Sequence, residues 1–362
     1  MDWYKDAGVD FVWGNVTKAD LKNRKVETDD GKSHDYTRLI LASGGSPKWL
    51  PMDGLKGDLE NVFVLRALPH TQGIMKAAGS EGGKKIVVVG SSFIGMEVAN
   101  CLASQKHDVT VVGMEKKPME AVMGQKVGAI FQSLLEKNGV KFVLESGVEK
   151  AVPSKSDSKK VGAVHLKGGK VLECDLVIEG VGVQPSTQYL QDSSEIKLED
   201  DGSVRVNESF EVEGLKDVYA IGDIATYPYH GPGGNGKPTR IEHWDVAQNA
   251  GRAVAARINK PSETPKAFIP VFWSALGAQL RYCGHSTEYD DVILHGETGA
   301  ENPSWVAYYT KGETVEAVAS MMKDPYMTQS AELMRRGAMP SKSEIQKGVD
   351  ILEISIPAET KI

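Results

Sequence analysis

The sequence predicts an α/β protein, with a parallel sheet and crossover helices in the middle of the chain and strand-rich segments before and after it. Three observations carry this. From about Lys84 short apolar runs alternate with helical ones: KKIVVVG, GMEVANCLASQ, DVTVV, a helix around Val127 to Asn138, and VKFVLE. That is the grammar of βαβ units. A glycine turn, Gly90 to Gly95, joins the first of these strands to the first helix. Residues 266 to 362 return to strands, as in SWVAYYTKGETVEAVASMM, which alternates around a KGET turn.

Taken in order, Val9 to Leu41 read as strands (DFVWGNV, KVET, RLILA) joined by hairpin signals such as Asp29-Asp30-Gly31, and Pro47 and Pro51 close the segment. After the βαβ stretch, a polar hairpin (SKSDSKK, then VGAVHLKGGKVLE) leads into DLVIEGVG. The β-rich GSVRVNESFEV then brings the chain to VYAIGDIA, a short apolar strand ending at Gly222-Asp223. HGPGGNGKP, 230 to 238, reads as a flexible surface loop, EHWDVAQNAGRAVAARI as a helix over 242–257, and Pro261 to Pro265 as a linker. No repeat at a solenoid period is visible.

At 362 residues the chain exceeds one ordinary core, so two or three domains are expected. The net charge is -7 with acids and bases interleaved, which offers no basic face to a phosphate backbone; nucleic acid is not an expected partner. Cys101, Cys174 and Cys283 are far apart and form no CxxC pair, which argues against a disulfide framework and for a reducing compartment. No run approaches about 18 apolar residues, so no membrane span is expected. The N-terminal MDWYKDAGVDFVWG lacks the basic start and apolar core of a signal peptide and reads as the inside of a domain.

The strongest local signal is KKIVVVGSSFIGMEVA, in which Gly90, Ser91, Ser92, Phe93, Ile94 and Gly95 lie between a strand and a helix whose N-terminus would face a pyrophosphate. Gly90 permits the tight turn and Gly95 lets helix pack on strand. Ser92 holds the middle position of the G-x-G-x-x-G pattern, where glycine normally lets the backbone approach the phosphates. With DVTVV about 20 residues on, dinucleotide binding is the expectation, against a plain βα turn. The acid for the ribose 2'-hydroxyl should end that second strand, where Gly113 stands; Glu115 lies two further on, followed by Lys116 and Lys117. NAD is favoured, and NADP stays open because the lysines could meet a 2'-phosphate.

With GSSFIGME, VIEGVGVQP, VYAIGDIA, EHWDVAQNAG and FWSALG in this order, the chain resembles the two-dinucleotide flavoprotein reductases, and within them the apoptosis-inducing factor-like branch that includes ferredoxin reductases. The resemblance covers nearly the whole chain. It implies two Rossmann-like dinucleotide-binding domains, an FAD domain interrupted by an inserted NAD domain, followed by a C-terminal α+β domain. Residues 1–72 and 206–264 would be the FAD-domain pieces, 73–205 the NAD(P) domain and 265–362 the last domain. FAD and NAD, with NADP possible, are the implied cofactors. The implied activity passes electrons from NAD(P)H through flavin to an iron-sulfur protein, quinone or similar acceptor.

Residue by residue, the resemblance aims Asp223, after Gly222, at the FAD ribityl chain or its phosphate side. It sets Ala42, Ser43 and Gly44 beside the flavin, where small residues let backbone approach a ligand. Val16 and Arg66 match positions that touch the adenosine and flavin regions. The helix opening at Glu242-His243-Trp244 would point its N-terminus at the flavin's pyrimidine end, and Trp273 would lie near flavin and nicotinamide. Glu97 would hold the nicotinamide carboxamide, and Gly182 belongs to a second glycine turn by the dinucleotide. Plain packing or a solvated surface role stays open for Val16, Arg66, Glu97, His243 and Trp273, as do an ordinary loop at Leu41 to Pro47, a simple turn at Gly182 and a strand-end turn with a solvated carboxylate at Asp223.

The family's own N-terminal strand-GxGxxG-helix, for the ADP half of FAD, has no match before Val9, so the FAD domain is expected to be incomplete and the chain alone to retain little FAD. A second reading is therefore a truncated, non-catalytic NAD-binding or protein-interaction module. The expected compartment is cytoplasmic or mitochondrial, with any targeting region outside this chain. Oligomeric state is not readable.

Overall fold

A computed structural model describes residues 2–262 and 268–356. The linker expected at 261–265 lies, from residue 263 on, outside the described residues. The chain divides into two compact units: Met1–Gly45 with Pro185–Pro228 and Pro238–Lys266, and Ser46–Gln184 with Tyr229–Lys237 and Ala267–Ile362.

The second unit is built on a five-stranded parallel sheet in the order Val62–Val64, Leu176–Glu179, Lys85–Val89, Asp108–Val112, Lys141–Val143. Its strands are apolar runs rather than alternating ones because both faces are covered. Ile86 and Val88 join one hydrophobic cluster, Val87 and Val89 another. Helices Phe93–Ser104 and Glu120–Lys137 cover the first face. A three-stranded antiparallel sheet, Val148–Pro153, Val161–Leu166 and Val171–Glu173, covers the second.

The helix expected from Val127 starts at Glu120, because Gly124, at φ +70°, breaks it into two pieces and only the later piece carries clear periodicity. Helix Leu68–Ala78 was not expected from its sequence; Pro69 stands in its first turn, where the missing N–H costs nothing.

The C-terminal antiparallel sheet runs Val271–Ala275, Gln279–Gly284, Thr314–Met321, Ser304–Lys311, Asp291–Glu297. Trp305, Ala307 and Tyr309 pack into the same cluster as helices Phe93–Ser104 and Glu120–Lys137, with Trp305 edge-on to Phe131 at 6.1 Å. Val306 and Tyr308, on the opposite face, pack with Met327, Leu333 and Met334 of helix Tyr326–Arg335. The Gly/Pro-rich loop is packed rather than free: a Cβ on Gly233 would come within 2.1 Å of the buried Glu316 carboxylate.

In the first unit, Val16–Asp20, Lys25–Thr28 and Ser33–Asp35 form an antiparallel sheet, while residues 10–15 form no strand and leave Phe11 and Trp13 exposed. Leu39–Leu41 and Val218–Ala220 pair in parallel. Of GSVRVNESFEV only Val204–Arg205 is a strand. The helix predicted at 242–257 spans Trp244–Asn259 and buries Val246, Ala250 and Val254 along one face. No described helix is long and apolar enough to cross a membrane.

Candidate functional site

In the second unit the C-terminal ends of the parallel strands open into a cleft of about 420 Å³, lined by Gly90, Ser91, Ser92, Gly113, Glu115, Gly180, Gly182, Leu50 and Met52 among others. At Gly90 and Gly113 nothing larger fits, whereas at Gly182 the φ of +105° is what favours glycine. A Cβ on Gly90, itself at φ +106°, would lie 2.3 Å from the Gly180 carbonyl oxygen, and one on Gly95 would lie 2.1 Å from that of Gly90. Strand, turn and helix thus approach to backbone contact, which sets the helix start at the cleft. Ser92 is the N-cap of helix Phe93–Ser104 but makes no side-chain cap bond, leaving the first-turn amides to a ligand or solvent.

The glycine at the end of the second strand has a steric reason. A Cβ at position 113 would come within 2.5 Å of the Ser91 hydroxyl oxygen, so Gly113 ends the strand and the carboxylate arrives from Glu115. The Ser91 hydroxyl donates to Glu115 Oε2 at 2.7 Å, holding that carboxylate at the cleft. The Lys117 ammonium donates to Gln132 Oε1 at 2.9 Å. Phe93 and Ile94 are half-buried in the first helical turn, and Phe93 packs edge-on to Phe272 at 5.0 Å. One turn on, Glu97 Oε1 accepts a short hydrogen bond from the buried Ser274 hydroxyl.

In the first unit the carboxyl ends of the parallel pair bring two predicted segments together: Ile221 N–H donates to Leu41 O, so Ala42-Ser43-Gly44 and Gly222-Asp223 leave adjacent strand ends. Such ends are where open α/β sheets bind ligands. Gly222, at φ +70°, makes the turn beside helix Trp244–Asn259, in a backbone conformation that favours glycine. Asp223 is 8% exposed. Ser43 donates to Ser186 O at 2.7 Å and lies 3.1 Å from the Tyr189 hydroxyl. His243 is the helix N-cap, its Nδ1 accepting from Asp245 N–H; burial lowers its pKa against the pull of Asp245 and Asp223. Trp244 is exposed.

Other predicted residues stand elsewhere. Val16 is exposed at the start of its strand in the first unit. Arg66 and Trp273 belong to the second unit, both exposed. Two polar side chains stand out that sequence reasoning did not select. Arg240 binds Asp201 Oδ2 at 2.7 Å, Glu242 Oε1 at 2.6 Å and the Asp223 carbonyl oxygen at 3.0 Å, joining the aspartate turn to the helix start. Glu179, at the end of a cleft-forming strand, is buried among valines, and burial pushes its carboxyl up to about 8. Glu179 lies inside VIEGVGVQP, but nothing local marks its distant partner Leu50, and Arg240 stands in no motif, with Asp201 and Asp223 in other segments.

An α/β protein with glycine turns at the ends of its parallel strands is the class these arrangements define. Residues 4–251 match the family model described as pyridine nucleotide-disulphide oxidoreductase, and residues 271–352 the one described as reductase C-terminal; the chain belongs to this family. Its members are FAD-dependent, NAD(P)H-using oxidoreductases. The chain is 35% identical to apoptosis-inducing factor 3 of Mus musculus over 347 residues, 95% of this chain but 55% of that protein. It is 32% identical to the peroxisomal monodehydroascorbate reductase 4 of Arabidopsis thaliana over 313 residues, 85% of this chain and 62% of that one. Thus it spans a little over half the length of these curated relatives. Among solved structures it is similar to the covalent putidaredoxin reductase–putidaredoxin complex, with TM-score 0.87 and 26% identity, covering 97% of this chain and 82% of that chain. The ferredoxin reductase for the CYP199A2 system from Rhodopseudomonas palustris shares the fold at TM-score 0.86 and 22% identity, over 95% of this chain and 81% of that one.

Proposed function

We propose that the chain works as an NAD(P)H-dependent flavoprotein reductase of the apoptosis-inducing factor-like type, delivering electrons to an iron-sulfur protein, quinone or similar acceptor. The observation that carries this reading is the nucleotide cleft, where the Gly90 turn, an uncapped helix start and a serine-held carboxylate converge. The helix amides would take the pyrophosphate and Glu115 the ribose hydroxyls. Because Lys117 is tied to Gln132 while Glu115 faces the cleft, NADH is the preferred donor.

The residues at the other strand ends fit the flavin and ribityl side of FAD. Asp223 is a buried carboxylate at a glycine turn, Ala42, Ser43 and Gly44 leave room for a close approach, and the Trp244–Asn259 amides would stabilise negative charge. When bound, FAD supplies a centre that accepts two electrons and can release them singly. The chain's part is alignment and electrostatics, with Arg240 keeping Asp223 and Glu242 in one frame. Its cysteines, free in the structure, suit a reducing compartment, cytoplasmic or mitochondrial.

Titrating the purified chain with NADH and NADPH, following tryptophan fluorescence, tests the nucleotide half; at least about tenfold tighter binding of NADH is expected. Binding of neither nucleotide refutes the reading. Adding FAD and a one-electron dye then separates a reductase from a binding module: the module binds NADH but does not reduce the dye.

A further inference from the structure

Resting on the reading of this cleft as a nicotinamide-nucleotide site, we propose that Glu179 is a positioning residue whose buried carboxyl pins the 48–52 strap forming part of the cleft wall. Glu179 ends strand Leu176–Glu179 between Val64 and Val89, its partners in register. It is 2% exposed. Its Oε2 accepts the Leu50 N–H at 2.8 Å, and its Oε1 has no hydrogen-bond partner among the described residues.

A lone carboxyl among valines is costly to bury, and a valine in its place would pack with no such penalty. What the carboxyl provides is an acceptor at one point of the strap. Pro51 has no N–H, so Leu50 supplies the donor there. Two residues earlier, Lys48 N–H donates to the Gly182 carbonyl at 2.9 Å. Leu50 and Met52 then line the cleft together with Gly90, Ser91 and Glu115. The strap is thus tied at two points, to the second glycine turn and to Glu179.

The tie holds the cleft wall while the carboxyl stays neutral. Burial keeps the proton on against the Leu50 N–H, which by itself favours the ionised form, and the Asp58 carboxylate adds to the effect of burial. The flanking strands pair Val64 and Val89 with it, so an ionised Glu179 would face apolar side chains and the like charge of Asp58. Moving toward water is its escape, and the strap moves with it.

The test is NADH affinity of the whole chain at about pH 6 and about pH 9, for the wild type, Glu179→Gln and Glu179→Val. The wild type is expected to bind about fivefold to tenfold more weakly at the higher pH. Glu179→Gln, which keeps a neutral acceptor for Leu50, should match the wild type at low pH and show no loss at high pH. Glu179→Val should be about fivefold to tenfold weaker at both. A pH-independent wild type overturns the proposal, as does a glutamine variant no better than the valine one. If Glu179→Val fails to fold, the comparison of wild type with glutamine still decides. No NADH binding by the wild type at either pH brings down the nucleotide-site reading as well, a result distinct from binding that ignores Glu179.

Discussion

Replacing Glu179 with glutamine should change how the protein's stability depends on pH, independently of any ligand. In the unfolded chain the carboxyl loses its proton near the ordinary 4.5, whereas in the fold it holds it to about 8. Between those values the native state binds one more proton than the unfolded state, so unfolding free energy falls as pH rises through the window and levels off above it. At roughly 1.4 kcal/mol per pH unit, the span sets a ceiling of about 5 kcal/mol, and relaxation of the strap reduces it to about 2–4 kcal/mol. Glutamine has no proton to lose and keeps the acceptor. The variant should therefore gain on the wild type between about pH 5 and about pH 9 by that amount. Trp305 makes the assay specific: it is 0% exposed and sits in the unit that holds Glu179, while the other five tryptophans are all exposed. The blue-shifted part of the fluorescence in urea melts thus reports this unit. Parallel pH profiles for the two proteins would refute the assignment of a buried neutral carboxyl.

Three further outcomes are expected. Gly90→Ala pushes a Cβ against the Gly180 carbonyl at a φ that alanine disfavours, and should cost about 2–4 kcal/mol together with most NADH binding, seen in thermal melts and titration. Arg240→Ala leaves Asp201 and Glu242 without their shared cation, and should loosen the first turn of helix Trp244–Asn259 by about 2–3 kcal/mol in hydrogen exchange. Lysine there should restore only part of this, having no fork to span three acceptors. Trp305→Ala opens a cavity beside Phe131 and should destabilise the second unit by about 3–5 kcal/mol by circular dichroism melts.

The glycine-lined cleft was legible because its signals are local. A strand, two glycines and a helix lie within about 20 residues, and each glycine answers to a backbone contact a side chain would break. Even the misplaced acid was visible as a gap at Gly113, although only the contact with Ser91 explains it. Helix Leu68–Ala78 escaped because few of its side chains are buried, Ile74 and Ala78 among them, leaving little periodicity. DFVWGNV has the composition of a strand, yet Phe11 and Trp13 are exposed and 10–15 pair with no neighbour in a sheet. Arg240 and Glu179 could not be singled out because their meaning depends on partners far along the chain, Asp201 and Asp223 for one and Leu50 for the other. Propensity and periodicity carry no record of such pairings.

The shared cluster of helices Phe93–Ser104 and Glu120–Lys137 with the C-terminal sheet limits how the protein can be dissected. Met123, Val127, Phe131 and Leu135 meet Trp305, Tyr309 and Ala319 in one continuous core. A piece ending before residue 267 would turn that helix face to water, an apolar patch of the kind that drives self-association. Cutting out the parallel-sheet part alone should thus yield a sticky, poorly soluble fragment, and carrying the distant C-terminal sheet along is what would keep it tractable.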